Sequence, residues 1–259
     1  MIIKIIYKII FLIKLSFSPN VYFEKCKSQN ENKENIFLNK LKHGIKNKYF
    51  VEIGFHHLEY NCICLAQNNF QGLMIDGGRK INILMLKLIF FLLNKKINIK
   101  NKFITRENII SFLKDRSDIG CLSIDIDGND FWIIKKIIDE KIFPEIIIIE
   151  YNASFLKKSI SVPYEENFDR KKKHFSGFYH GASLKAYYKL LSKKNYHLVR
   201  SIDGSNAFFV NNNIKEKCNL QSYKPDEIYE ECKLRNIWSN SNANTQYDKI
   251  KNLKFDEII

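Results

Sequence analysis

The stretch IGCLSIDIDGNDFW (residues 119–132) decides how this chain folds. Its first half is apolar enough for a buried strand, and Asp125, Asp127 and Asp130 follow within six positions. Carboxylates are costly to bury unless something pairs with them. A core strand that ends in such a cluster predicts a strand end facing a ligand. An acidic surface turn is the alternative.

Strands and helices alternate on both sides of this stretch. The predicted parallel strands are residues 48–54, 70–76, 102–105, 119–125 and 144–150, with helices at 58–69, 80–94, 108–114 and 131–141. The fifth strand, PEIIIIE, lacks polar alternation, as expected of a strand covered on both faces. Five such units predict a doubly wound, mostly parallel sheet. Residues 196–201 and 206–210, around Asp203-Gly204, add a C-terminal antiparallel hairpin.

We expect one Rossmann-like domain over residues 35–212, between two less regular ends. Residues 1–34 read as an apolar extension followed by a solvated polar linker, CKSQNENKE (26–34). The longest uninterrupted apolar run in the extension, residues 9–13, is far shorter than the roughly 20 residues of a membrane span. A poor signal peptide, a membrane-surface helix and a docking helix stay open. Residues 213–259 are predicted as a loose, partly helical polar tail.

The chain is basic, with 42 Lys and Arg against 28 Asp and Glu, giving a net charge of +14. A basic surface can attract nucleic acid. However, Lys, Ile and Asn are abundant throughout, and no patch combines basic with stacking aromatic residues. We therefore expect no nucleic-acid partner.

The six cysteines form no CxxC pair, which indicates free thiols and a cytoplasmic location. Weak contact of residues 1–17 with a membrane surface is an alternative.

Polar residues follow all five predicted parallel strands. In chain order they are Glu52 and Gly54, Asp76, Thr105–Asn108, the aspartate cluster, and Glu150. Ligands of open α/β sheets bind beyond the carboxyl ends of the strands. The side chains are therefore expected to converge on one ligand-binding edge.

Several sequence blocks, taken in order, resemble one enzyme family. The blocks are FVEIGFHHLEYN (50–61), GLMIDG (72–77), TRENI (105–109), LSIDIDGNDFW (122–132), IEYNASF (149–155), VPY (162–164), YHGASL (179–184) and NAFFV (206–210). Together they resemble the FkbM-related methyltransferases, which use S-adenosylmethionine (SAM), and more narrowly an uncharacterised branch with an IDIDGND and EYN pair. The resemblance implies a class I methyltransferase-like fold.

The resemblance also implies cofactor-binding positions. Glu52 and Gly54 would begin the SAM-binding loop, Asp76 would hold the ribose diol, Thr105 and Asn108 would lie near the adenine, and Asp125 and Asp127 would face the methionine end. One departure concerns Phe55–Leu58, where relatives carry two further glycines. Glycine allows close backbone approach to a ligand, so a non-catalytic or repurposed Rossmann module stays open.

A general base assists methyl transfer to a hydroxyl. The candidate bases are Asp127, Asp130, Glu150 and His180. Asp130 could instead stabilise its own helix N-terminus, and His180 could cap the helix that follows it. We assign no metal ligands, although the DxDGxD spacing leaves a divalent ion open.

We expect O-methylation of a saccharide or another small-molecule hydroxyl. A metal-dependent sugar transferase is a further alternative, and the sequence specifies no oligomeric state.

Overall fold

A computed structural model describes residues 20–114, 116 and 118–259. The strands are β1 (Tyr49–Ile53), β2 (Gln71–Asp76), β3 (Ile97–Asn101), β4 (Cys121–Ile124), β5 (Ile146–Glu150), β6 (Ile160–Ser161), β7 (His197–Ile202), β8 (Asn206–Val210) and β9 (Asp256–Glu257). The helices are α1 (Asn20–Lys25), α2 (Gln29–Leu41), α3 (Ile63–Gln67), α4 (Lys80–Leu92), α5 (Ile109–Leu113), α6 (Asp130–Asp139), α7 (Arg170–Lys173), α8 (Leu184–Ser192), α9 (Asn212–Lys217), α10 (Pro225–Ile228), α11 (Lys233–Ser239) and α12 (Ala243–Asp248).

Seven of the strands form one sheet in the order β3-β2-β1-β4-β5-β8-β7. Strands β1 to β5 run parallel, and β8 pairs antiparallel with both β5 and β7. The turn between β7 and β8 places Asp203 at φ 48° and Gly204 at φ 68°, as the predicted hairpin requires. The fold is a Rossmann-like, mostly parallel sheet with a C-terminal antiparallel hairpin, which confirms the predicted fold class.

Successive residues of the central strands enter two apolar clusters, one on each face of the sheet. Val51 and Ile53 belong to the first cluster, which α5, α6 and α8 cover, while Phe50 belongs to the second, which α2, α3 and α4 cover. All four isoleucines of β5 are fully buried. Helices on both faces explain why this strand shows no polar alternation.

The third strand was predicted at the wrong place, since β3 is Ile97–Asn101 and not residues 102–105. Among residues 20–114, 116 and 118–259 it pairs only with β2, from Gly72↔Ile97 to Asp76↔Asn101. An edge strand is covered less than a central one, and its sequence INIKN therefore lacks a long apolar run. The helix predicted over residues 58–69 is also shorter, because only Ile63–Gln67 is helical.

The predicted solvated linker at residues 26–34 is instead packed against the sheet. Glu34 is fully buried, and its carboxylate accepts hydrogen bonds from Ser28 Oγ at 3.0 Å, Asn206 Nδ2 at 3.0 Å, and the Asn30 side chain. Buried polar groups are stable when they satisfy one another. A polar sequence was therefore mistaken for a solvated one.

The C-terminal residues are likewise folded onto the domain and do not form a loose tail. Arg235 of α11, Ala243 and Gln246 of α12, and Ile250 are buried. Gln246 accepts a hydrogen bond from Ser154 Oγ at 2.6 Å, so these helices lie beside the segment that follows β5. The apolar extension at residues 1–17 lies outside the described residues. Within the described part of the chain, no helix combines the length and apolarity needed to cross a membrane.

Candidate functional site

Two cavities adjoin at the carboxyl ends of the parallel strands, with volumes of about 520 Å³ and 290 Å³. Both are lined by Gly54, Asp76, Asp125 and Asp127. These residues follow β1, β2 and β4, so the cavities form one trough across the strand ends. These residues therefore surround one concave site, at the strand ends where the sequence predicts a ligand-binding edge.

Gly54 is required where β1 meets the end of β4. Its φ is +78°, and a Cβ at this position would lie 1.7 Å from the backbone carbonyl oxygen of Asp125. Any other residue would combine left-handed strain with a backbone clash. The glycine thus sets the shape of the trough floor by allowing the two strand ends to approach.

Asp76, at the end of β2, holds two neighbouring segments. Its carboxylate accepts hydrogen bonds from Phe55 N at 3.3 Å and Gly78 N at 2.6 Å. A carboxylate has about four acceptor positions, so capacity remains for a ligand in the trough. Beside it, the apolar side chains of Phe103 and Ile104 line the smaller cavity.

Thr105 and Asn108 do not line either cavity. Asn108 Oδ1 accepts a hydrogen bond from Thr105 N at 3.0 Å, and its Nδ2 donates to Phe103 O at 2.9 Å. These bonds brace the loop that carries Phe103 and Ile104. Contact of Thr105 or Asn108 with an adenine stays a prediction, and the cavity wall at this place consists of the two apolar residues that precede them.

Glu52 anchors the segment that leads into α3. Its buried carboxylate accepts hydrogen bonds from Asn61 N at 3.1 Å and Cys62 N at 2.9 Å. Burial raises the pKa of Glu52. Asn61 lines the larger cavity, and in the part of the chain that the structure describes its buried side-chain oxygen has no hydrogen-bond partner. A donor that reaches this oxygen would satisfy it.

The Phe55–Leu58 segment replaces the expected glycines without filling the trough. Phe55 and Leu58 pack against the apolar cluster that includes Phe50. His56 and Glu59 exchange two backbone hydrogen bonds of 2.9 Å. The segment is thus shaped by side-chain packing and a tight backbone pair, while Phe55, His56 and Glu59 still line the larger cavity.

The three aspartates after β4 have different environments. Asp130 is the first residue of α6, and its carboxylate accepts hydrogen bonds from Ile126 N and Gly128 N at 2.8 and 2.9 Å. Burial raises the pKa of Asp130 to about 6, and its side chain is not among those that line the two cavities. Asp127 is half-exposed and pairs with Arg170 of α7.

At the end of β5, Glu150 lies between two basic side chains. His180 Nδ1 is 4.0 Å from Glu150 Oε2, and Arg235 Nη2 is 3.7 Å from Glu150 Oε1. Burial raises the pKa of Glu150 well above its ordinary value, and the Asp125 and Asp127 carboxylates raise it further. Burial lowers the pKa of His180, and the charge of Arg235 lowers it further, which favours the neutral imidazole.

Arg235 is a site residue that the sequence did not reveal. It is buried, lines the larger cavity and donates from Nη1 to Asn152 Oδ1 at 2.7 Å. Asn152 also donates to the backbone oxygens of Phe178 and His180 at 2.7 and 2.8 Å. The available signal was composition, because Arg235 is one of only six arginines in a lysine-rich chain.

The chain was compared with known proteins. No family model and no curated protein matches it. Among solved structures, it is similar to the E. coli tRNA N6-threonylcarbamoyladenosine dehydratase TcdA, at 13% identity and TM-score 0.32 over 42% of this chain, and spans about half of that chain (53%).

Two methyltransferase structures are also similar. The N-terminal domain of EvdMO1 with SAH bound matches at 10% identity and TM-score 0.43, over 69% of this chain and 78% of that one. An O-methyltransferase family 2 protein from Planctomyces limnophilus, in complex with apigenin, matches at 8% identity and TM-score 0.34, over 74% and 65%. The specific resemblance to FkbM-related enzymes stays a prediction from the sequence.

Proposed function

We propose that the protein is a SAM-dependent O-methyltransferase acting on a saccharide or another small-molecule hydroxyl. The observation that carries the proposal is the two-part trough with Asp76 at its junction. A carboxylate at the end of the second strand suits the hydroxyl pair of a ribose. The apolar wall beside it suits a planar base, and the larger cavity leaves room for an acceptor.

The residues present fit this cofactor at three places. Asp76 would accept hydrogen bonds from the ribose, and Phe103 and Ile104 would contact the adenine. The unpartnered Asn61 oxygen would accept a hydrogen bond from the amino group of the methionine part. The carboxylates of Asp125, Asp127 and Glu150 also line the larger cavity, where negative charge favours a cationic sulfonium.

SAM would supply an electrophilic methyl group, and the chain would position the acceptor and remove its proton. Glu150 is the preferred base because it lies in the larger cavity and faces His180 Nδ1 across 4.0 Å. Neutral His180 would be the second member of this pair. Arg235 would hold Glu150 and Asn152 in place as a positioning residue.

Calorimetry with SAM and SAH on the purified chain tests cofactor binding. We expect Asp76→Asn to weaken binding by about tenfold, because it removes a charged acceptor from the ribose hydroxyls. Asp139→Asn, at the exposed end of α6, is the matched control and should bind as the wild type does. A folded wild-type chain that binds neither compound would contradict the proposal and favour a non-catalytic module.

Transfer of a labelled methyl group to a panel of saccharides and small hydroxyl compounds tests the reaction. We expect Glu150→Gln to lower turnover by about 10²- to 10⁴-fold, the usual contribution of a general base, with SAM affinity little changed. Equal turnover of the variant and the wild type would remove Glu150 from the proposed role.

A further inference from the structure

We propose that Asp127, Glu150 and His180 bind a divalent transition-metal ion at the wall of the larger cavity. Each residue offers one ligand atom, and the three atoms lie within 4.8 Å of one another. Metal–nitrogen and metal–oxygen bonds of about 2.0–2.2 Å place neighbouring ligand atoms of a tetrahedral ion roughly 3.4 Å apart. Small side-chain movements would therefore close this set around one ion.

An independent observation concerns the imidazole of His180. The residue is 1% exposed, and its Nδ1 finds no hydrogen-bond partner among the described residues. Buried polar atoms without a partner are rare and costly. Nδ1 faces Glu150 Oε2 across 4.0 Å, a separation too long for a hydrogen bond. Asn152 Nδ2 holds the backbone oxygen of His180, and Arg235 Nη2 lies 3.4 Å from ring atom Nε2, so Nδ1 is turned toward this gap.

The side chains around the gap favour a cation. The carboxyl groups of Asp125, Asp127 and Glu150 all line the larger cavity. Two guanidinium groups face them: Arg170 pairs with Asp127 Oδ1, and Arg235 lies 3.7 Å from Glu150. Carboxyl groups, which can serve as oxygen ligands, thus outnumber guanidinium groups at this wall.

The imidazole must change its proton position when the ion binds. Arg235 Nη2 lies 3.4 Å from His180 Nε2, and since a guanidinium only donates, Nε2 is the acceptor and Nδ1 carries the hydrogen. On metal binding, that hydrogen moves to Nε2 and the Nδ1 lone pair binds the ion, so Arg235 Nη2, which would then face a second donor, must give up its contact with Nε2. Arg235 retains its 2.7 Å hydrogen bond to Asn152.

The ligand types indicate which ions fit. Imidazole suits Zn²⁺ and related transition ions, whereas Ca²⁺ and Mg²⁺ prefer oxygen ligands. We therefore expect an ion of the Mn²⁺, Fe²⁺ or Zn²⁺ class. Three protein ligands leave positions open toward the cavity, where an acceptor hydroxyl could bind and lose its proton more easily. This last role rests on the proposed function, whereas the binding site itself does not.

Titration of chelator-treated full-length protein with Mn²⁺, followed by electron paramagnetic resonance, tests the site. We expect one ion per chain, and at least about tenfold weaker binding in His180→Gln and in Glu150→Gln. His174→Gln, directly after α7, is the matched control and should bind as the wild type does. Electron spin echo modulation by a nitrogen nucleus should be present in the wild type and lost in His180→Gln.

Circular dichroism of each variant separates loss of the site from loss of the fold. The proposal is overturned if the folded wild type binds no Mn²⁺ or Zn²⁺ at millimolar concentration, or if folded His180→Gln binds Mn²⁺ as the wild type does. Calorimetry with SAM on the same samples distinguishes the two proposals. SAM binding without metal binding overturns the metal site alone, and stoichiometric metal binding without SAM binding overturns the methyltransferase alone.

Discussion

Asp130 provides a stability test whose magnitude follows from its surroundings. The residue is 1% exposed, and its two carboxylate oxygens accept hydrogen bonds from Ile126 N and Gly128 N. Burial raises the pKa of Asp130 to about 6, although these backbone hydrogen bonds oppose the rise. In the unfolded chain the same carboxyl has a pKa of about 3.9. The carboxyl is thus more easily protonated in the folded state.

The pKa difference of about two units corresponds to about 3 kcal/mol, at 1.36 kcal/mol per unit. Between about pH 4 and pH 6 the folded protein keeps a proton that the unfolded chain has lost. The unfolding free energy therefore falls as pH rises through this window. The contribution from protonated Asp130 is fully present below about pH 4 and is lost as the pH passes about 6.

Asp130→Asn cannot ionise and should lack this pH dependence. Urea unfolding of both proteins from about pH 4 to pH 7 measures the effect as the difference between their unfolding free energies. We expect the wild-type value to fall by about 3 kcal/mol relative to the variant over this range. Asp139→Asn, a half-exposed carboxylate at the other end of α6, should show no such change. A constant difference between wild type and Asp130→Asn would refute the argument.

Three further substitutions test packing, each by urea unfolding. Gly54→Ala should lower the unfolding free energy by more than about 2 kcal/mol, because its Cβ would meet the backbone after β4. Gly177→Ala, also at positive φ but with open space around it, should lower the unfolding free energy less. Arg235→Met should lower the unfolding free energy by about 3 kcal/mol, because it removes the guanidinium beside the buried Glu150 carboxyl. Exposed Lys233→Met should lower it little. Glu34→Ala should lower the unfolding free energy by about 2 kcal/mol, because it leaves the hydrogen-bond donors around Glu34 unsatisfied. An unchanged value would instead support the prediction that residues 26–34 form a solvated linker.

The fold class followed from local features of the sequence. The run IIIIE in β5 indicated a strand covered on both faces, and Asp203-Gly204 indicated the hairpin turn that the structure contains. Strand periodicity and turn chemistry depend on neighbouring residues, so a single sequence expresses them well. The polar residues at the strand ends were also predictable, because parallel strands bring their carboxyl ends to one edge of the sheet.

Only the tertiary structure decided which side chains meet at that edge. His180 and Arg235 reach Glu150 from segments 30 and 85 positions further along the chain, and nothing in the local pattern links them. The position of the edge strand β3 was predicted wrongly, because a strand at the edge of a sheet is covered less and its sequence shows little apolar pattern. Glu34 looked solvated because its polar partners lie as far away as Asn206. Local pattern thus determined the framework, and long-range packing, which balances burial against hydrogen bonding and charge, decided the site.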